Sequence, residues 1–211
     1  MQEINPQGKF SYWFDLIQPR VKQCQYIGDL QLLAKKQPRV CIVGSRKMTN
    51  YGREVLEQII PLLVSKNITV VSGGAFGVDI YAHQLVRRYQ GSGIVVLPSS
   101  LKQVYPMANQ AIISYFKDHG LLLSENQVSK PAKYHFIARN RIMAAISQKI
   151  PNLLGGISQQ PDEVRRVYQA AIQINAQSSL VDGLNKRPPT EHIAKILTAP
   201  SSNVACHLID R

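Results

Sequence analysis

Four short runs of apolar residues recur along the first two thirds of the chain, at 39–44, 68–73, 93–98 and 121–125. Each run is continuous rather than alternating, which is typical of strands covered on both faces. Segments with helical spacing alternate with them, at about 51–66, 79–90, 107–119 and 136–147. We therefore predict an α/β fold, with a mostly parallel sheet and helices on both of its faces.

The pattern divides the 211 residues into three parts. Residues 1–38 are predicted to be an N-terminal extension with one or two short helices and an aromatic cluster. Residues 39–148 carry the α/β pattern, and 149–211 form an atypical C-terminal segment. Pro61 lies inside the first helical pattern and is expected to kink that helix or end it early.

Glycines and cations follow the first two strands. The first turn is "GSRKMT", from Gly44 to Thr49, and the second is "GGAFGVD", from Gly73 to Asp79. Ligands of such sheets bind outside the carboxyl ends of the strands, and the free N–H groups at a helix start favour an anion. Ordinary tight turns would explain the glycines equally well. We nevertheless predict contacts to a phosphate by a set from both turns: Gly44, Ser45, Arg46, Lys47, Gly73, Gly74 and Gly77.

The segment after the fourth strand combines cations with rings. Lys133 precedes Tyr134, His135 and Phe136, and Arg139, Asn140 and Arg141 follow on a predicted helix start. Bases of single-stranded nucleic acid stack on rings while phosphates meet Lys and Arg. We therefore predict that this segment contacts single-stranded DNA through Lys133, Phe136, Arg139, Asn140 and Arg141. Phe136 on residue type alone is more often a core residue. Arg139 and Arg141 are two apart and do not share one helix face, so one of them is a candidate for holding neighbouring loops together.

The charge balance favours a polyanionic partner. The chain has 25 Lys+Arg against 13 Asp+Glu, a formal charge of +12 and a pI near 9.8. No acid occurs between Asp29 and Glu54 or between Glu125 and Asp162. Nucleic acid and an anionic membrane surface both fit such a charge. No apolar run reaches the roughly 20 residues that span a bilayer, and no signal peptide is evident. The three scattered cysteines predict neither a metal site nor disulfides, and favour a reducing cytoplasm.

Enzyme motifs are missing. The first turn lacks Gly-x-Gly-x-x-Gly, and neither a P-loop nor a Gly-x-Ser-x-Gly elbow occurs. The only acids near strand ends are Asp79, predicted to be a helix cap, and Glu125, predicted to bind a sugar or balance an arginine. We therefore expect no catalysis and no cofactor.

Five ordered motifs resemble one family. They are "VCIVGSRKMTNYG", "VVSGGAFGVDIYAHQ", "IVVLPSSLKQVYP", "GLLLSE" and "PAKYHFIARNRIMAAIS". Together, over about residues 26–148, they resemble the DNA-processing protein A family (DprA, also called Smf). The resemblance implies a Rossmann-like domain that binds single-stranded DNA, forms homodimers and loads the RecA recombinase in natural transformation, without enzymatic activity. It also implies that Ser45 and Arg46 bind phosphate, and that Lys133 and Phe136 contact DNA.

The resemblance stops near Lys149, which puts the final strands of the sheet and the dimer surface in doubt. An abrupt stop favours a frameshift, which predicts that 150–211 pack poorly; divergence and domain replacement are the alternatives. Two other functions stay open. One is a vestigial Rossmann-like fragment. The other is a LOG-like nucleoside-5′-monophosphate phosphoribohydrolase. The residues here that come nearest to the motif of that enzyme are Gly155, Gly156 and Glu163.

Overall fold

Six strands form a single sheet in this computed structural model, which describes residues 1–17 and 19–147, without the side chain of Tyr51. The strands are β1 (Gln2–Glu3), β2 (Gln25–Gly28), β3 (Arg39–Cys41), β4 (Thr69–Ser72), β5 (Gly93–Val96) and β6 (Gly120–Ser124). The helices are α1 (Asn50–Ser65), α2 (Val78–Arg88), α3 (Gln110–His119) and α4 (Lys133–Ser147). Three short 3-10 helices lie at Phe14–Leu16, Leu30–Leu33 and Met107–Asn109.

The strand order is β1-β2-β6-β5-β4-β3. Strands β3 to β6 are mutually parallel, with Val71 opposite Ile94 and Ile94 opposite Leu121. These are the four strands that the apolar runs predict, so the mostly parallel α/β fold is confirmed. Within the described residues β3 lies at the end of the sheet and is only half-buried, whereas β4, β5 and β6 are buried throughout. β3 is nevertheless packed on both faces, as its apolar run predicts, since Val40 contacts one core and Cys41 the other.

The N-terminal extension belongs to the same sheet. Strand β2 pairs antiparallel with β6, and β1 pairs antiparallel with β2. The sequence analysis missed both strands because neither has an apolar run. β2 is defined by its hydrogen bonds with β6, about a hundred residues away along the chain, and β1 by those with β2. The predicted aromatic cluster packs inward, since Trp13 and Phe14 are fully buried.

Alternate residues of the central strands face two separate cores. Val70, Val95 and Leu122 pack with the apolar faces of α1, α2 and α3. Their neighbours, such as Val71 and Ile94, pack with the N-terminal segment and α4. Period-two alternation therefore places helices on both faces, as predicted. Helix α1 continues past Pro61 to Ser65, so the expected early end of this helix is wrong.

A buried arginine ties the N-terminal segment to α4. Arg39 is 0% exposed. Its guanidinium donates to the carbonyls of Leu32 and Ala34, both at 2.8 Å, to that of Ile146 at 2.5 Å, and to the Tyr12 hydroxyl at 2.6 Å. Burial lowers the pKa of Arg39 and raises that of Tyr12. Arg39 is one of the cations between Asp29 and Glu54. It stabilises the fold and is not available at the surface.

Candidate nucleic-acid interface

The carboxyl ends of β3 to β6 meet at one edge of the sheet, which we call the carboxyl edge. The residues that follow those ends are Gly44, Gly73, Pro98 and Glu125, as the sequence predicts. Side chains cross between the loops here: the Ser124 hydroxyl contacts the carbonyl oxygens of Leu97 and Ser99 at 3.2 and 2.7 Å. Hydrogen bonds therefore connect the loops of the carboxyl edge to one another.

The first turn is closed by its own polar groups. The Ser45 hydroxyl accepts from the Lys47 N–H at 3.1 Å and lies 3.0 Å from the Lys47 carbonyl. The Thr49 hydroxyl caps α1 by accepting from the Gly52 N–H at 3.1 Å. Arg46 and Lys47 are exposed. The turn thus leaves two cations facing solvent at the start of a helix, which is a favourable place for an anion.

The second turn packs against the first. Gly77 is the residue before α2 and has φ +76°, and a Cβ there would overlap the Ser45 carbonyl oxygen. A Cβ at Gly73 would overlap the Arg139 guanidinium. Gly74 has φ +65°, and a Cβ there would lie 2.9 Å from the Ile113 side chain. These three glycines therefore have a packing reason for being glycine, and their contact with DNA stays a prediction.

Arg46 and Phe136 meet, although 90 residues separate them in sequence. The guanidinium carbon of Arg46 lies 5.2 Å from the centre of the half-buried Phe136 ring. On another side Tyr105 contacts the same ring edge-to-face, with 5.9 Å between centroids. Tyr105 is 42% exposed. A cation over one ring and a second exposed ring beside it form a mixed surface of the kind that a nucleotide can cover.

The start of α4 carries the remaining predicted side chains. Lys133 is exposed and lies three residues before Phe136, so both are on neighbouring turns of one helix face. Tyr134 is also exposed. His135 is buried instead, and its Nδ1 accepts from the Ala132 N–H at 2.9 Å. His135 therefore orders the beginning of the helix rather than facing a ligand.

Two of the predicted DNA-contacting cations are engaged inside the protein. Arg139 is 6% exposed, and it donates to the Gly73 carbonyl and, at 3.2 Å, to the Val96 carbonyl. Arg141 binds both carboxylate oxygens of Glu125 at 2.7 Å. In this conformation neither guanidinium is free for a phosphate. Both arginines hold neighbouring segments together, which the sequence analysis had expected of at least one of them.

Asn140 also bonds locally, since its side-chain oxygen accepts from Arg139 Nε at 3.0 Å. Glu125 pairs with Arg141, which is one of the two roles predicted for it. Asp79 is not the cap of α2; it lies in the first turn, is buried, and accepts from the Gly44 N–H at 3.3 Å. Burial raises the pKa of Asp79, and the neighbouring Arg139 opposes that rise.

Sequence analysis missed Tyr105 at this edge. Tyr105 carries no charge and lies in a loop between a strand and a helix, so only its contact with Phe136 draws attention to it. Asp79 was predicted only as a helix cap, because no local pattern indicates its buried contacts to both turns. The pairing of Arg46 with Phe136 was likewise beyond a sequence argument, which placed them only on the same edge of the sheet.

The described residues contain neither a membrane-spanning helix nor a cluster of metal ligands. No helix among them is long and apolar enough to cross a bilayer, and no group of three or more His, Cys, Asp or Glu side chains there has the proximity a metal ion needs. Gly155, Gly156 and Glu163 lie outside the described residues, as do the expected poor packing of 150–211 and the final strands of the sheet.

The fold and this edge define a Rossmann-like α/β protein with a basic, aromatic surface at the ends of its parallel strands. The family model of DNA recombination-mediator protein A matches residues 10–151. The chain belongs to this family, as the resemblance implies.

Relatives and solved structures agree with that assignment. The chain is similar to DNA processing protein DprA of Bacillus subtilis, with 34% identity over 124 residues, 58% of this chain and 41% of that protein. It is 40% identical to Protein Smf of Synechocystis over 114 residues, 54% of this chain and 29% of that protein. The chain thus spans less than half the length of these curated relatives.

Two solved structures have the same fold. DNA processing protein A of Streptococcus pneumoniae matches with a TM-score of 0.65 and 28% identity, over 80% of this chain and 59% of that one. DNA processing protein A of Helicobacter pylori, described with a unique single-stranded DNA binding mode, matches with a TM-score of 0.61 and 31% identity, over 75% of this chain and 74% of that one.

The C-terminal segment matches a different kind of protein. A family model of bacteriophage nozzle proteins matches residues 143–211. Tail tubular protein gp12 of Escherichia phage T7 is 60% identical over 47 residues, 22% of this chain and 6% of that protein. A frameshifted segment would not encode recognisable sequence of another protein, so the frameshift hypothesis is wrong. The match of the C-terminal segment to nozzle proteins therefore supports the domain-replacement alternative.

Proposed function

We propose that this protein is a non-catalytic single-stranded DNA-binding protein of the DprA type, and that DNA lies across the carboxyl edge. The observation that carries the proposal is the position of Arg46 over the Phe136 ring, with Lys133 one helical turn away. An arginine fork suits a phosphate, an aromatic ring suits a base, and the two are close enough to hold one nucleotide.

The rings favour a single strand over a duplex. Phe136 and Tyr105 present aromatic rings at the carboxyl edge. A base must be unpaired to stack on such a ring, which a single strand allows and a duplex does not. The predicted backbone contacts come from Ser45, Arg46 and Lys47 in the first turn. The single-stranded DNA binding mode ascribed to the Helicobacter pylori relative supports the same choice.

The wider role follows from family membership. We propose that the protein protects incoming DNA in the cytoplasm and loads RecA onto it during natural transformation, as a homodimer and without a cofactor. The description of the family as recombination mediators supports this role. Because the tail matches a nozzle protein from residue 143 onward, the dimer is the part of the proposal that depends most on the C-terminal segment.

Binding of a fluorescent oligothymidylate, followed by anisotropy, tests the proposal directly. We expect the full chain to bind the single strand more tightly than a duplex of equal length, and Arg46→Ala to weaken that binding. A parallel assay for base release from AMP tests the phosphoribohydrolase alternative. Equal affinity for both DNA forms, or turnover of AMP that survives repurification, would contradict the proposal.

Recombinase loading needs its own experiment. We expect the protein to shorten the lag of RecA filament formation on single-stranded DNA, and the Arg46→Ala variant to do so less. Sedimentation at several concentrations measures the predicted homodimer. An unchanged lag with DNA binding intact would remove the recombinase role and leave the DNA-binding proposal standing.

A further inference from the structure

A buried ion pair lies directly behind the Arg46–Phe136 surface. Asp79, on α2, and Arg139, on α4, approach to 3.7 Å, and their side chains are 4% and 7% exposed. Together they contact the first turn, the second turn and the end of β5. Buried ion pairs can often be replaced by apolar side chains with no loss of stability, so stability alone does not explain a charged pair here.

The aspartate reaches the first turn. Its Oδ1 accepts from the Gly44 N–H at 3.3 Å, and Gly44 lies two residues before Arg46. The backbone N–H groups of Gly73 and Ala75 also favour the ionised carboxylate, so Asp79 contacts the first and second turns together. The carboxylate is therefore connected, through Gly44, to the backbone that carries Arg46.

The arginine reaches the second turn and the ring. Arg139 donates to the carbonyls of Gly73 and Val96, and its guanidinium carbon lies 6.0 Å from the centre of the Phe136 ring. It occupies the space that a side chain at position 73 would fill. Because Arg139 is three residues after Phe136, the two side chains are neighbours on α4, and the bonds of Arg139 connect this part of the helix to the second turn.

We propose that the Asp79–Arg139 pair is a positioning device that sets the spacing between the Arg46 guanidinium and the Phe136 ring, and so allows both to contact one nucleotide. The contacts run from Gly44 through Asp79 and Arg139 to Phe136, and Gly44 is joined to Arg46 by the backbone of the first turn. The DNA part of this inference rests on the proposed function, whereas the spacing itself does not.

A DNA-independent readout tests the spacing. 4-Fluorophenylalanine is placed at position 136 of the full chain, and its ¹⁹F resonance is recorded with and without Arg46→Ala. We expect the resonance to move on loss of the guanidinium in the parent and to stay unmoved in Asp79→Asn. That variant keeps the size of the side chain and an acceptor for Gly44, but loses the charge that faces Arg139. Arg139→Lys, which keeps the charge but not the fork, is the second variant.

A mutant cycle tests the consequence for binding. Affinities for a short oligothymidylate are measured for Arg46→Ala, Phe136→Ala and the double variant, in the parent and in Asp79→Asn. Neighbouring groups that hold one ligand are coupled, so the parent cycle should depart from additivity by about threefold or more. In Asp79→Asn we expect additivity within about twofold.

Glu125→Gln is the matched control, because it breaks the other ion pair of α4, that with Arg141, at the same edge of the sheet. It should lower the unfolding temperature yet leave the ¹⁹F response and the coupling unchanged. All readouts are taken below the unfolding temperature of each variant.

Several outcomes would overturn the inference. The first is a ¹⁹F response in folded Asp79→Asn and Arg139→Lys equal to that of the parent. The second is no response in the parent. The third is that neither variant folds at any temperature, which would make the pair a requirement of folding rather than of spacing. If the ¹⁹F result is as expected but the parent does not bind the oligonucleotide, the proposed function fails and the positioning of Arg46 by the pair stands.

Discussion

Salt dependence separates the two kinds of contact that the interface is proposed to make. Arg46 and Lys133 are exposed, and among residues 1–17 and 19–147 neither forms an ion pair with a carboxylate. Each should therefore neutralise one phosphate in full. Removing one such contact from a single-stranded complex lowers the slope of log affinity against log salt by about 0.7. Over a fourfold rise in salt, each contact accounts for a loss of affinity of about 2.6-fold.

Phe136→Ala should behave differently, because stacking releases no counterion. The expected loss is about 1–3 kcal/mol, on the order of tenfold or more in affinity, at every salt concentration and with an unchanged slope. Arg46→Lys should also weaken binding, since an ammonium cannot hold two phosphate oxygens as a guanidinium does.

The assay is anisotropy of a short labelled oligonucleotide at four or more salt concentrations, with circular dichroism to verify folding. Lys66→Ala is the matched control. Lys66 is exposed and follows the 16-residue α1, which begins beside the first turn and carries the chain about 24 Å away from it. If Arg46→Ala and Lys66→Ala have the same slope as the parent, the first turn does not bind phosphate and the reasoning is refuted.

Four further predictions concern stability and the gene. Arg39→Met should lower the free energy of unfolding by about 3 kcal/mol in urea titrations, since it leaves one buried and two part-buried carbonyls without their donor; a loss below about 1 kcal/mol would contradict the structural role of Arg39. Burial lowers the pKa of His83 to about 4, so the unfolded chain binds its proton first as the pH falls below the ordinary value of 6.5. Stability should therefore drop by about 2 kcal/mol between pH 7 and pH 5, and His83→Leu should remove that drop; an equal drop in both proteins would assign it to other groups. Gly77→Ala should cost about 1–3 kcal/mol because φ is +76° there, and a neutral effect would show that the turn relaxes easily. Amplification across codons 143–151 from independent DNA preparations should yield one uninterrupted frame, and a product that continues the DprA family instead would show that the junction with nozzle sequence is not in the gene.

The alternation of apolar runs with helical segments was sufficient to predict the core of the fold. β4, β5 and β6 are buried on both faces, so their sequences are continuous apolar runs that depend little on their partners. β2 has no such run, because its place in the sheet is decided by hydrogen bonds from β6 rather than by its own composition. The local sequence therefore indicates whether a strand is buried, but not which distant strand pairs with it.

The same division applies to the interface. The sequence by itself determined that Gly44, Arg46 and Phe136 follow strands of one parallel sheet, since the carboxyl ends of such strands must share an edge. It did not determine which cations face outward. Arg139 and Arg141 lie two residues apart and have the same charge as Arg46. Arg139 is nevertheless buried against Gly73, and Arg141 binds Glu125. Only the tertiary structure decided this, because whether a guanidinium meets solvent or an internal carbonyl depends on loops that are distant in sequence and adjacent in space.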